Sequence, residues 1–145
     1  MKKLFIVFLI LIITFNCTQT VTFAEENVGA SARSNNVSDT YTNFTITNGV
    51  ANVYVNYSGF EGITTNARIT IKIQKRFLFF FWQDVDGAEW VDISNEVYYS
   101  NSHSISVKSG TYRAQIEYVI YGTGGVADTI TETIEASYWF VIYII

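Results

Sequence analysis

Arg68-Ile-Thr-Ile-Lys-Ile-Gln74 decides the fold. Successive side chains of an extended chain point to opposite faces. Ile69, Ile71 and Ile73 therefore share one face, and Arg68, Thr70, Lys72 and Gln74 share the other. One dry face and one wet face is the pattern of an antiparallel sheet. The same period of two recurs on both sides of this segment. Upstream, Phe44 and Ile46 alternate with threonines, Asn48-Gly49 follows, and Ala51, Val53, Val55 and Tyr57 alternate with polar partners. Asn-Gly between two alternating runs predicts a two-residue hairpin turn, because both turn positions need positive φ. Downstream, Tyr112, Ala114, Ile116, Tyr118 and Ile120 oppose Arg113, Gln115 and Glu117. Gly122-Thr-Gly124-Gly125 then predicts a hairpin loop into a last strand over 126–138, with Ile130, Ile134 and Ala136 inward. Shorter strands are expected at 90–93 and around Ile105 and Val107, with a turn at Asp84-Val-Asp86-Gly87. About seven strands with closely spaced turns predict an all-β antiparallel sandwich or barrel.

The chain begins differently. Lys2 and Lys3 precede an unbroken apolar run, Leu4–Ile13, and a polar stretch ends at Thr22-Phe23-Ala24 before Glu25-Glu26. A positive start, an apolar middle and a small-residue exit form a secretory signal. Residues 1–24 are read as a removable signal-peptide helix, since the run falls short of the roughly 20 residues of a membrane span. Cys17 raises a lipoprotein alternative, but Phe15 and Asn16 before it are too large for that pattern. Residues 25–40, rich in Asn, Ser and Gly, are expected to be a flexible leader; 41–138 form the sandwich domain. Residues 139–145, Trp-Phe-Val-Ile-Tyr-Ile-Ile, are an apolar tail or an extension of the last strand.

Removing residues 1–24 leaves 121 residues with seven basic and 13 acidic side chains, a net charge of −6. That balance argues against nucleic acid and against attraction to an anionic membrane. The expected location is secreted or cell-surface, with membrane contact only through the signal before cleavage. The mature part has no cysteine and no proline. Packing alone must hold it, and Gly, Asn, Asp and Ser must make its turns.

Taken together, Ile46-Thr-Asn-Gly49, Ile71-Lys-Ile-Gln-Lys75 before a Trp-bearing segment, Val107-Lys-Ser-Gly-Thr-Tyr-Arg113 and Tyr121-Gly-Thr-Gly-Gly125 resemble an uncharacterised family of small exported β-sandwich proteins of Gram-positive bacteria. The resemblance covers residues 30–138. It implies an immunoglobulin-like sandwich and brings no site residues with it. The Phe77–Trp82 run and the tail after Tyr138 depart from it.

Chemistry is sparse. His103, between Ser102 and Ser104, reads as an exposed turn histidine, because neighbours in a strand point to different faces and form no dyad. Asp84 and Asp86 before Gly87 are the candidate metal ligands, for calcium, but the EF-hand spacing fails because no glutamate sits at the required distance. The glycines at 122–125 lack the Lys-Ser/Thr and helix of a phosphate loop. No cofactor is expected.

Phe77–Trp82 has five aromatics in six residues. Either both faces of this run are covered, or some rings form a binding surface. Phe79, Phe81, Trp82 and Trp90 are the candidate ligand-binding residues, suited to stacking on sugar rings or on a partner's apolar side chains. The expected function is a non-enzymatic exported or surface-associated binding domain, with a glycan, cell-wall or protein partner. The alternative is a secreted toxin or bacteriocin-like protein acting on membranes or by oligomerisation.

Overall fold

The computed structural model describes residues 35–139. The expected signal peptide, most of the expected leader and the tail beyond Trp139 lie outside the described residues. Seven strands follow one another: β1 (Val37–Thr47), β2 (Val50–Gly59), β3 (Thr64–Phe77), β4 (Phe81–Ser94), β5 (Tyr98–Ser106), β6 (Gly110–Gly122) and β7 (Asp128–Tyr138). They form two antiparallel sheets, one in the order β1-β2-β5 and the other β4-β3-β6-β7.

The alternation seen in the sequence sets the inner faces. Phe44, Val53, Val55 and Tyr57 come from one sheet, and Ile69, Ile71, Ile73, Ile116, Tyr118 and Ile120 from the other; together they form one buried layer. Fully burying a side chain of this size stabilises by roughly 1.5–3 kcal/mol. β3 and β6 sit at the centre of the larger sheet, and Ile71 pairs directly with Ile116. The Asn48-Gly49 turn forms as expected, with φ of 52° and 74°. The last strand also follows the glycine-rich loop and ends at Tyr138 as expected, but it starts at Asp128 rather than at 126.

Two expectations are corrected. β1 starts at Val37, so the last residues assigned to the leader belong to the domain. Asn36 is buried, and its side chain does the work an apolar residue would do elsewhere. Its Nδ2 donates to the carbonyls of Ile120 (3.1 Å) and Val126 (2.6 Å), and its backbone N–H donates to Asp128 Oδ2 (2.6 Å). The Thr64 hydroxyl donates to its carbonyl. A buried polar side chain is tolerable when satisfied in this way, and this one ties the start of β1 to the other sheet.

The second correction concerns 84–87, which make a bulge inside β4 rather than a turn. Lys72 pairs with Glu89 and Gln74 with Asp84, so the four residues 85–88 stand opposite the single Ile73. Gly87 supplies the positive φ (72°) that this detour needs, and Ala88 is buried beneath it. The chain actually reverses at 78–80.

The sheets are also joined through tyrosine hydroxyls. Tyr118 Oη lies 2.7 Å from Thr42 Oγ1 and donates to the carbonyl of Tyr41 at 3.2 Å. Burial pushes the Tyr118 phenol far above its ordinary range, and the Thr42 hydrogen bond offsets only part of that; burial also raises Tyr57 and Tyr99. A phenol whose folded pKa is raised contributes stability that is complete below the unfolded value and is lost as pH climbs past it. Stability should therefore hold to about pH 10 and fall above it. Tyr118→Phe should cost about 1 kcal/mol near neutral pH, from the lost hydrogen bond. It should also flatten the alkaline decline, which denaturant titrations at a series of pH values would measure.

Candidate functional site

β3 and β4 are the two longest strands, at 14 residues each. Their ladder continues to Phe77↔Phe81, whereas the pairing of β3 with β6 ends at Lys75↔Tyr112. The hairpin therefore carries its tip past its neighbour. The tip is Phe77-Leu-Phe-Phe-Phe81, five consecutive apolar side chains between 57% and 89% exposed, with Phe79 the most exposed. Phe80 and Phe81 touch ring to ring, centroids 5.0 Å apart. Leu78 has φ 56°. A left-handed backbone costs a residue with a Cβ roughly 1–2 kcal/mol, and Leu has no polar side chain with which to compensate. The chain accepts strain to present leucine at an apex where Asn or Gly would sit easily.

Behind the tip stands a charged collar on the outer face of the sheet. Trp82 pairs with Arg76, whose guanidinium lies 4.8 Å from the ring centroid; that of Arg113, on β6, lies at 4.5 Å. Arg76 bonds Glu135 (2.6 Å), and Arg113 Nε donates to Gln74 Oε1 (2.7 Å). Gln74 Nε2 donates in turn to Asp84 (2.6 Å), which Lys72 approaches at 3.4 Å. These exposed pairs contribute little stability singly, but they fix Trp82 in position. The hydrogen bond from Gln74, aided by Lys72, holds the Asp84 carboxyl below its usual range.

Phe79, Phe81 and Trp82 therefore lie together, and Trp90 does not. Eight residues separate the two tryptophans, so a regular strand would put both on one face. The bulge adds three residues relative to β3, an odd number, and reverses the parity. Trp90 pairs with Ile71 on the inward side and stacks on His103, centroids 4.9 Å apart. Asp86 is exposed in the bulge, and Asp84 is engaged by Gln74 and Lys72. Among the described residues no group of three or more His, Cys, Asp or Glu converges to hold a metal.

His103 is not the exposed turn residue expected. It lies mid-strand on β5 and faces inward, its Nε2 3.0 Å from both oxygens of Asp92 on β4. Asn101 donates to the same carboxylate at 3.1 Å. Asp92 is buried, whereas Ser102 and Ser104 are exposed on the opposite face of β5. The cluster therefore joins an imidazole to a carboxylate with neither serine in line. Its geometry serves to clamp β4 onto β5 where the two sheets meet. The sequence signal was the matched i, i+2 spacing of Trp90-Val-Asp92 and Asn101-Ser-His103, which becomes meaningful only once the strands face each other.

Asp92→Ala should leave the half-buried His103 and Asn101 without their acceptor and cost about 1–3 kcal/mol. Asp92→Asn should recover part of that loss. Chemical denaturation of the two variants would measure both effects.

No protein-family profile, no curated protein and no solved structure matches the chain.

Proposed function

We propose that this chain is an exported, non-enzymatic binding domain that meets its partner end-on, through the tip of the β3–β4 hairpin. One observation carries the reading: five adjacent apolar side chains stand in water at the tip, on a backbone strained to keep one of them there. Contiguous exposed apolar surface on a stable domain marks an interaction site. The long, well-paired β3–β4 ladder and the collar around Trp82 supply a rigid base for it. Export is supported by the composition of residues 1–24.

We also infer an immunoglobulin-like sandwich. The strand orders β1-β2-β5 and β4-β3-β6-β7, with one buried layer formed from both inner faces, support it.

The test uses the fluorescently labelled chain 25–145 and intact Gram-positive cells. Phe79 and Phe80 are exposed, so the double variant Phe79→Ser/Phe80→Ser should keep its circular dichroism, and its stability should stay within about 0.5 kcal/mol of the parent. Its binding to cells should fall at least about tenfold, the equivalent of one lost hydrophobic anchor. Equal binding by parent and variant would remove the tip as the contact surface.

A further inference from the structure

We propose that the surface met by this tip is the headgroup–acyl boundary of an anionic lipid bilayer; this rests on the tip being the contact surface. The side chains of Phe77–Phe81 offer no hydrogen-bond donor or acceptor. A glycan needs such groups beside the ring that stacks on it; here they begin only behind the tip, around Trp82, where Arg76, Gln74 and Arg113 are already engaged by the protein's own groups. A protein partner would need a pocket fitted to a protruding wedge of five apolar groups. A bilayer accepts phenyl and leucyl side chains without any fitted shape.

What stands behind the wedge matches the depth profile of a membrane surface. Trp82, apolar in body with a polar N–H, follows immediately, at the position where interfacial tryptophans collect. Next come cations. Six Lys and Arg residues lie among the described residues, and four of them cluster at this end: Lys75, Arg76, Lys108 and Arg113. Asp84 and Glu135, the acids closest to the tip in register, are paired with Lys72 and with Arg76 itself, so the net positive charge of this end comes from Lys75, Lys108 and Arg113. The opposite end carries Asp39, Glu61, Glu96 and Asp128. The domain is thus polarised along its long axis, with its basic pole at the apolar tip. The overall negative charge, which argues against an anionic surface, conceals this arrangement. A polarised protein approaches an anionic bilayer basic end first, and each cation near the surface strengthens the attraction.

β7 finishes at the same end of the domain. β6 pairs Lys75 with Tyr112 on one side and Gly110 with Tyr138 on the other. Continuing that register, Phe77 and Tyr138 stand level, two strands and so about 10 Å apart. Trp139 follows, 69% exposed, and adds an indole at this end.

The test is co-sedimentation of the chain 25–145 with vesicles of phosphatidylcholine alone and of phosphatidylcholine with phosphatidylglycerol, against a vesicle-free control. Binding to the phosphatidylglycerol vesicles is expected, weakening as salt rises and weaker on phosphatidylcholine alone. Phe79→Ser/Phe80→Ser should lower it roughly 100-fold, about tenfold per anchor. No sedimentation with either vesicle, or equal binding by the variant, would overturn the lipid assignment. Tip-dependent binding to cells without vesicle binding would overturn it too, while leaving the binding-domain reading in place. Loss of both would remove both.

Discussion

Everything in this domain depends on a single layer of side chains between two sheets that no covalent bond joins. No cysteine lies among the described residues, so separation of the sheets is opposed only by burial and by a few polar ties. Ile69, Ile71 and Ile73 sit at the middle of that layer, on a strand paired on both sides. The ties stand around it. Asn36 fastens the start of β1, the Tyr118 hydroxyl reaches Thr42 and Tyr41, and His103 with Asp92 locks β4 to β5. Each brings polar atoms into a dry region, and each is satisfied there. Among the described residues, no buried side-chain nitrogen or oxygen lacks a partner. Such groups add modest net energy but exclude alternative alignments of the sheets, because any slip would leave them unpaired.

The parts of this arrangement that were legible in the sequence are those governed by neighbours in the chain. Period two over 68–74 and 112–120 reports one wet and one dry face, and Asn48-Gly49 reports a turn whose backbone few other residues tolerate. The illegible parts are those where a local rule was overridden. Asp86-Gly87 has the chemistry of a turn, yet it serves a bulge; the true reversal at 78–80 has no turn chemistry at all. Asn36 looked like leader because a polar residue does not announce its own burial. His103 and Asp92 meet only through the stacking of two sheets, which no window of sequence contains.

The candidate site divides the same way. Aromatic density alone singled out Phe79, Phe81 and Trp82; the two phenylalanines stand exposed, because so many rings in one run cannot all be covered, and Trp82 is half-buried under two guanidinium groups. It also picked out Trp90, which has the same composition signal but the opposite parity once the bulge is counted. The gathering of Lys75, Arg76, Lys108 and Arg113 at this end was invisible, since they come from two separate stretches, 75–76 and 107–113, brought together by the pairing of β3 with β6. Site chemistry here is a property of the ladder more than of any motif.

The bulge has one more consequence. β4 ends its sheet, so one side of its backbone faces away from any partner strand. A straight strand in that position would offer an unbroken row of N–H and C=O groups on which another copy could be templated. Residues 85–88 bow out of line midway along it and leave only short stretches of regular edge on either side. The detour that turns Trp90 inward therefore also blunts this margin against edge-to-edge growth, which matters for a protein that keeps so much apolar surface at one end.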